Sequence, residues 1–176
     1  RGLRDEDGRG VLTGLTRVAE IQSYNVTQGE HIIPTDGVLY YRGIDVEQLV
    51  GQALKEGRFG FEETAYLLLL GRLPKAAELE DFRRQLSYYR SLPNNFVRDV
   101  ILKAPSQDIM NSLARSVLNL ASYDDRCDDI SLPNVMRQCV QLTALFPMLS
   151  VYGYQAYNYK SGSSLYIHAP RPELST

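Results

Sequence analysis

The chain has 176 residues, of which 44% are hydrophobic and 23% charged, enough apolar material for one water-soluble domain or for part of a larger one. Its net charge is −2 and no basic run stands out, which argues against nucleic acid as a partner. The charged, glycine-rich start from Arg1 to Gly14 is not a secretory leader, and Cys127 and Cys139 fit neither a zinc pattern nor a disulfide framework. They read as reduced structural thiols of a cytosolic protein.

In chain order, Gly8-Arg9-Gly10-Val11-Leu12-Thr13-Gly14 invites comparison with a phosphate loop. The spacing is G-x-G-x-x-x-G, with no strand before it and no helix opening inside it, so a turn-rich entry is the better reading. Short strand pieces are expected between Leu15 and Val26. His31-Ile32-Ile33 and Val38-Leu39-Tyr40 flank Pro34-Thr35-Asp36-Gly37, which predicts a hairpin turn. Strand content is expected only in the first ~45 residues.

Asp45 then caps a helix, with Gln48 three positions on as a partial capping box. Val46, Leu49, Val50, Ala53 and Leu54 form one helical stripe, and Gly57 is a left-handed stop. Glu62 and Glu63 suit the start of a second helix. Its Tyr66–Leu70 run is apolar on every side and is expected to be buried all round, with Gly71 and Pro74 ending it.

A third helix carries the stripe Leu79, Phe82, Leu86 and Tyr89, with acids early and Arg83, Arg84 and Arg90 late. Those arginines read as a solvated face rather than a phosphate site. Phe96, Val97, Val100 and Ile101 predict a short helix stopping near Pro105. Ser106 or Asp108 caps the next one, whose stripe is Ile109, Leu113, Val117 and Leu120. The acidic loop Tyr123–Asp129 lacks the alternating spacing and closing Glu of a calcium loop.

The longest helix opens at Ser131-Leu132-Pro133 and runs to about Tyr159. Pro147 is expected to kink it, and its apolar part is too short and interrupted to span a membrane. Ser150, Gly153 and Ala156 are small enough to admit another helix closely. The tyrosines at 152, 154, 157, 159 and 166 suit interface packing better than base stacking, for want of basic neighbours.

Nucleophilic catalysis asks for a base beside a Ser or Cys. The only histidines are His31, in the predicted hairpin, and His168, in the tail. Both read as structural or solvent-facing rings, and with Cys127 and Cys139 they are too dispersed for zinc. No catalytic, cofactor-binding or metal-binding residue is assigned.

Two stretches, LYYRGIDVEQL and FEETAYLLLLGRLP, carry a Tyr-Arg-Gly turn, an acid-capped helix, a Phe-Glu-Glu helix start and a Gly-x-Leu-Pro stop, in that order. Together they resemble the N-terminal signature of citrate synthases. GLRDEDGRGVLTGLTRV is similar to the lead-in of the longer bacterial members. The resemblance implies an all-α fold, with residues 1–176 as the N-terminal part of the large helical domain and a small β-hairpin region near the start.

It also implies condensation of acetyl-CoA, a substrate and not a cofactor, with oxaloacetate to give citrate and CoA. The family's Asp base and histidine donors lie in His-Gly-Gly-like and Gly-His-like motifs and a late Asp, none of which occurs here. With Arg1 in place of Met and a capping-type tail at Arg171–Thr176, a fragment is expected, inactive alone. Helices 109–121 and 131–159 look like the family's dimer-interface pair, so a cytoplasmic homodimer is expected, with no membrane or nucleic-acid partner. Methylcitrate synthase and a non-catalytic helical interaction module are the rival readings.

Overall fold

Three strands and the Tyr-Arg-Gly turn open the architecture of this computed structural model, which describes residues 6, 10, 16–26, 32–171 and 173–176. His31 and most of the 8–14 segment lie outside the described residues. Two compact units are present, residues 1–79 and 80–176.

In the first unit, β1 (Ala19–Val26) pairs antiparallel with β2 (Ile32–Tyr41), and β2 with the short β3 (Ile44–Asp45). The expected hairpin turn at Pro34–Gly37 is not a turn. β2 runs straight through it. The register passes from Gln22↔Val38 to Tyr24↔Pro34, so Ser23 alone faces Thr35, Asp36 and Gly37. Turn-prone residues here absorb extra chain as a bulge, because pairing with β1 on both sides outweighs their local preference. The tight turn comes later. Arg42 and Gly43, at φ 50° and 81°, join β2 to β3, with Tyr41 opposite Ile44. Two successive positive φ values match the right-handed twist of paired strands.

Helix α1 (Val46–Lys55) starts as expected, the Asp45 carboxylate accepting from Glu47 N–H at 2.8 Å. Only part of its stripe is covered: Ala53 is buried, whereas Leu54 is 74% exposed. Gly57, at φ 62°, follows its end. Arg58 pairs with Glu56 and, at 2.5 Å, with Glu63 in the first turn of α2 (Phe61–Leu70). Helix α2 is not buried all round. Tyr66 and Leu67 are buried, but Phe61 and Leu70 at its two ends are exposed. A wholly apolar run states no facing direction, so packing chooses the covered side. Gly71 closes the helix in the left-handed region, its N–H donating to Leu67 O at 2.8 Å.

Helix α3 (Ala76–Tyr89) begins with half of a capping box, Lys75 N–H donating to Glu78 Oε2 at 2.8 Å. Arg72 grips the same carboxylate and, with that N–H, holds its pKa down to about 2. Phe82 and Leu86 are buried, as the stripe predicts.

In the second unit, a π-helix (Val97–Leu102) follows Asn95, which sits at φ 63°. The expected short helix is therefore present but wider. Phe96 and Ile101, five residues apart, are both buried. In an α-helix they would point about 140° apart, and the wider turn brings them to one side. Helix α4 (Ile109–Leu120) is capped by Asp108, which accepts from Asn111 N–H at 2.9 Å.

After a 3₁₀ turn (Ala121–Tyr123) comes α5 (Leu132–Lys160), 29 residues with Pro147 inside. The core joins Phe96 and Ile101 to Leu145, Met148, Leu149, Tyr152 and Ala156 of α5. Each fully buried large side chain contributes about 2–3 kcal/mol. Gly153 is buried, yet a Cβ there would meet nothing within 4 Å, so its small size is not forced by a close neighbour.

The tail folds back. Arg90 donates to Leu174 O at 2.9 Å and Thr176 Oγ1 at 2.7 Å. It is a tail clamp and not the solvated side chain its position in the arginine cluster suggested.

Candidate functional site

Helices α4 and α5 and the 3₁₀ turn enclose a cavity of about 470 Å³, apolar at Val117, Leu142 and Leu145 and polar at Asp124, Gln138 and Gln141. The polar side is built from the acidic loop. Asp124 accepts from Arg137 NH2 at 2.6 and 2.9 Å and from Gln138 Nε2 at 3.2 Å. Arg137, then Gln138, hold the Asp124 carboxyl below its ordinary range. Arg137 also donates to Gln141 Oε1 at 3.1 Å and, through Nε, to Asn134 Oδ1 at 2.9 Å. Asn134 is buried and donates to the Arg126 and Asp129 carbonyls at 2.9 and 2.7 Å.

These bonds use α5 as the post to which the 124–131 loop is tied. The spacing of the loop's acids argues against a calcium site but does not by itself reveal this network. The signal was available in the pairing of one acid-rich loop with Asn134, Arg137 and Gln138 on a single helical face, but which acid would pair was not.

Chemically, the cavity offers shape and hydrogen bonds. An aspartate locked under a guanidinium is a poor base at neutral pH. Cys127 lines the same cavity, exposed, and Cys139 is half-buried on α5. His168 lines a separate cavity of about 180 Å³ beside Arg90 and Tyr152. Among the described residues no three His, Cys, Asp or Glu side chains are placed to hold a metal ion.

The Tyr-Arg-Gly turn has a second function in the fold. Arg42 Nε and NH2 donate to Leu68 O at 3.2 and 2.8 Å, covering a carbonyl that the end of α2 leaves without a helical partner. Two stretches that carry the signature motifs, LYYRGIDVEQL and FEETAYLLLLGRLP, are thereby bonded to each other.

The family model described as "Citrate synthase, C-terminal domain" matches residues 8–176. The chain belongs to the citrate synthase family. Family members among its relatives include the citrate synthase of Corynebacterium glutamicum, 31% identical over 121 residues, which cover 68% of this chain and 26% of that protein. The citrate/2-methylcitrate synthase of Bacillus subtilis is 30% identical over 86% of this chain and 36% of its own length.

The fold agrees. The crystal structure of the Pyrobaculum aerophilum citrate synthase superposes with a TM-score of 0.70 at 26% identity, over 98% of this chain and 41% of that one. That of Thermotoga maritima gives 0.65 at 25% identity, over 99% and 38%. The helical body with a small three-stranded sheet is thus the family's fold, and the chain spans about a quarter to a third of the curated relatives' length.

Proposed function

We propose that this chain is the opening part of the large helical domain of an enzyme that condenses acetyl-CoA with oxaloacetate, releasing citrate and CoA. The observation that carries the reading is the family match across residues 8–176. The matching model is described by the family's C-terminal domain. The placement near the start rests instead on the motif order from Leu39 to Pro74.

An acyl-transfer condensation of this kind needs a base for the thioester α-proton and donors for the enolate and the keto oxygen. The sequence holds no His-Gly-Gly-like or Gly-His-like motif, so these groups are assigned to the rest of the enzyme, and no catalytic, cofactor or metal residue to this chain. The test is CoA thiol release from acetyl-CoA and oxaloacetate, by this chain alone and by the product of its whole reading frame. Turnover is expected only from the latter. Activity in the 176-residue chain would show that the reacting groups are already here, and an inactive longer product would remove the reaction itself.

Propionyl-CoA as the donor is the second reading, favoured by the Bacillus subtilis relative and by the 2-methylcitrate synthase of Shewanella oneidensis, 30% identical over 135 residues. The ratio of turnover with propionyl-CoA and acetyl-CoA separates the two.

Pairing of two copies through residues 109–121 and 131–159 belongs to the same proposal. Met110 and Leu118 on α4 and Val151 and Tyr154 on α5 are exposed apolar side chains, which a partner would cover. Leu118→Glu should shift the sedimentation coefficient from dimer to monomer. A monomeric parent chain would end this part of the reading. A cytoplasmic location, which the family resemblance implies, belongs to the same proposal. Among the described residues no helix is long and apolar enough to cross a membrane.

A further inference from the structure

At the far end of the second unit, a cleft of about 650 Å³ opens between the Ala104–Gln107 loop, the start of α4 and the end of α5. Two cations reach into it from different helices. Arg115 NH2 donates to Ala104 O at 2.9 Å, and Lys160 Nζ lies 3.5 Å from Pro105 O. Those carbonyls belong to consecutive residues of the loop, and both side chains line the cleft. Neither has a carboxylate within 4.0 Å among the described residues. The nearest acid in sequence, Asp108, accepts from Asn111 N–H as the α4 cap.

We propose that this cleft binds a phosphate-bearing small molecule. An anion in the cleft would meet two cations that no carboxylate neutralises. Arg supplies a planar fork and Lys a point charge, the two side chains best suited to phosphate oxygens. Ser106, Asn111 and Tyr157 add neutral polar groups around them. The whole chain is net acidic, so the local positive charge is not a background property. The cleft lies in the size range of small-molecule sites and exceeds a single phosphate, which favours a diphosphate group, free or on a nucleoside.

The test is a titration of the 176-residue chain with inorganic diphosphate and with a nucleoside diphosphate at constant ionic strength, followed by amide NMR shifts. Saturable shifts are expected at residues 104–115 and 157–161. Lys160→Gln, at an exposed site, should weaken binding by roughly ten-fold without altering the rest of the spectrum, and Lys160→Arg should restore it. Arg115→Gln should weaken it similarly. Equal affinity for both ligands identifies the free anion as the recognised source, and tighter nucleotide binding identifies the nucleotide. Shifts that do not saturate, or that persist unchanged in Lys160→Gln, overturn the proposal.

Discussion

Arg42 donates two hydrogen bonds to the Leu68 carbonyl, joining the β2–β3 turn to the C-terminal end of α2. The residue adopts φ 50°, a conformation that a side chain beyond glycine enters at a cost. The bonds to Leu68 offset that cost. Arg42→Ala should lower unfolding free energy by about 1–3 kcal/mol, read from urea midpoints. Arg42→Asn tolerates the left-handed backbone but lacks the guanidinium, and should recover only a minor part. Full recovery by Asn would mean that strain, and not the helix-end contact, sets the effect.

Asp124 and Arg137 form the ion pair that anchors the acidic loop, with side chains 19% and 21% exposed. Asp124→Ala leaves Arg137 half-buried without its partner and should cost about 2–3 kcal/mol. The pH dependence follows from the direction of the shift. Arg137 lowers the native pKa of Asp124 beneath its ordinary 3.8. The pair's stabilisation is therefore fully present above that value and is lost as pH falls through the lower native one. Asp124→Asn should flatten this acid limb below about pH 4 in thermal melts. An unchanged acid limb in Asp124→Asn would place its origin elsewhere.

Gly153 lies inside α5, where glycine costs about 0.5–1 kcal/mol relative to alanine. A Cβ there meets nothing within 4 Å. Gly153→Ala should raise the melting temperature by a few degrees, consistent with a gain of about 0.5–1 kcal/mol. A fall in melting temperature would mean that another surface occupies that space.

Tyr152 Oη donates to His168 O at 2.8 Å, and burial pushes its pKa up. Tyr152→Phe keeps the ring in the core and removes only the tie to the tail. It should cost about 0.5–1.5 kcal/mol and speed proteolysis within residues 161–176 more than elsewhere. Cleavage that accelerates evenly along the chain would indicate a core defect instead.

Much of the helical order was legible from the sequence alone, because helix ends are decided within one turn. Asp45 and Asp108 cap through their own side chains, Gly57 and Gly71 take positive φ, and Pro133 sits at the start of α5. The family was legible too, since its signature motifs are contiguous. The tertiary structure decided whatever depends on residues distant in the chain. Pairing with β1 turned Pro34–Gly37 into a bulge, and the shared core of Phe96 and Ile101 selected a π-helix. Packing left the ends of α2 exposed, and Arg137 and Gln138 recruited one aspartate of four from the acidic loop. A local pattern sets what a segment prefers, but the free energy of burying and bonding it comes from partners that only the folded chain brings near.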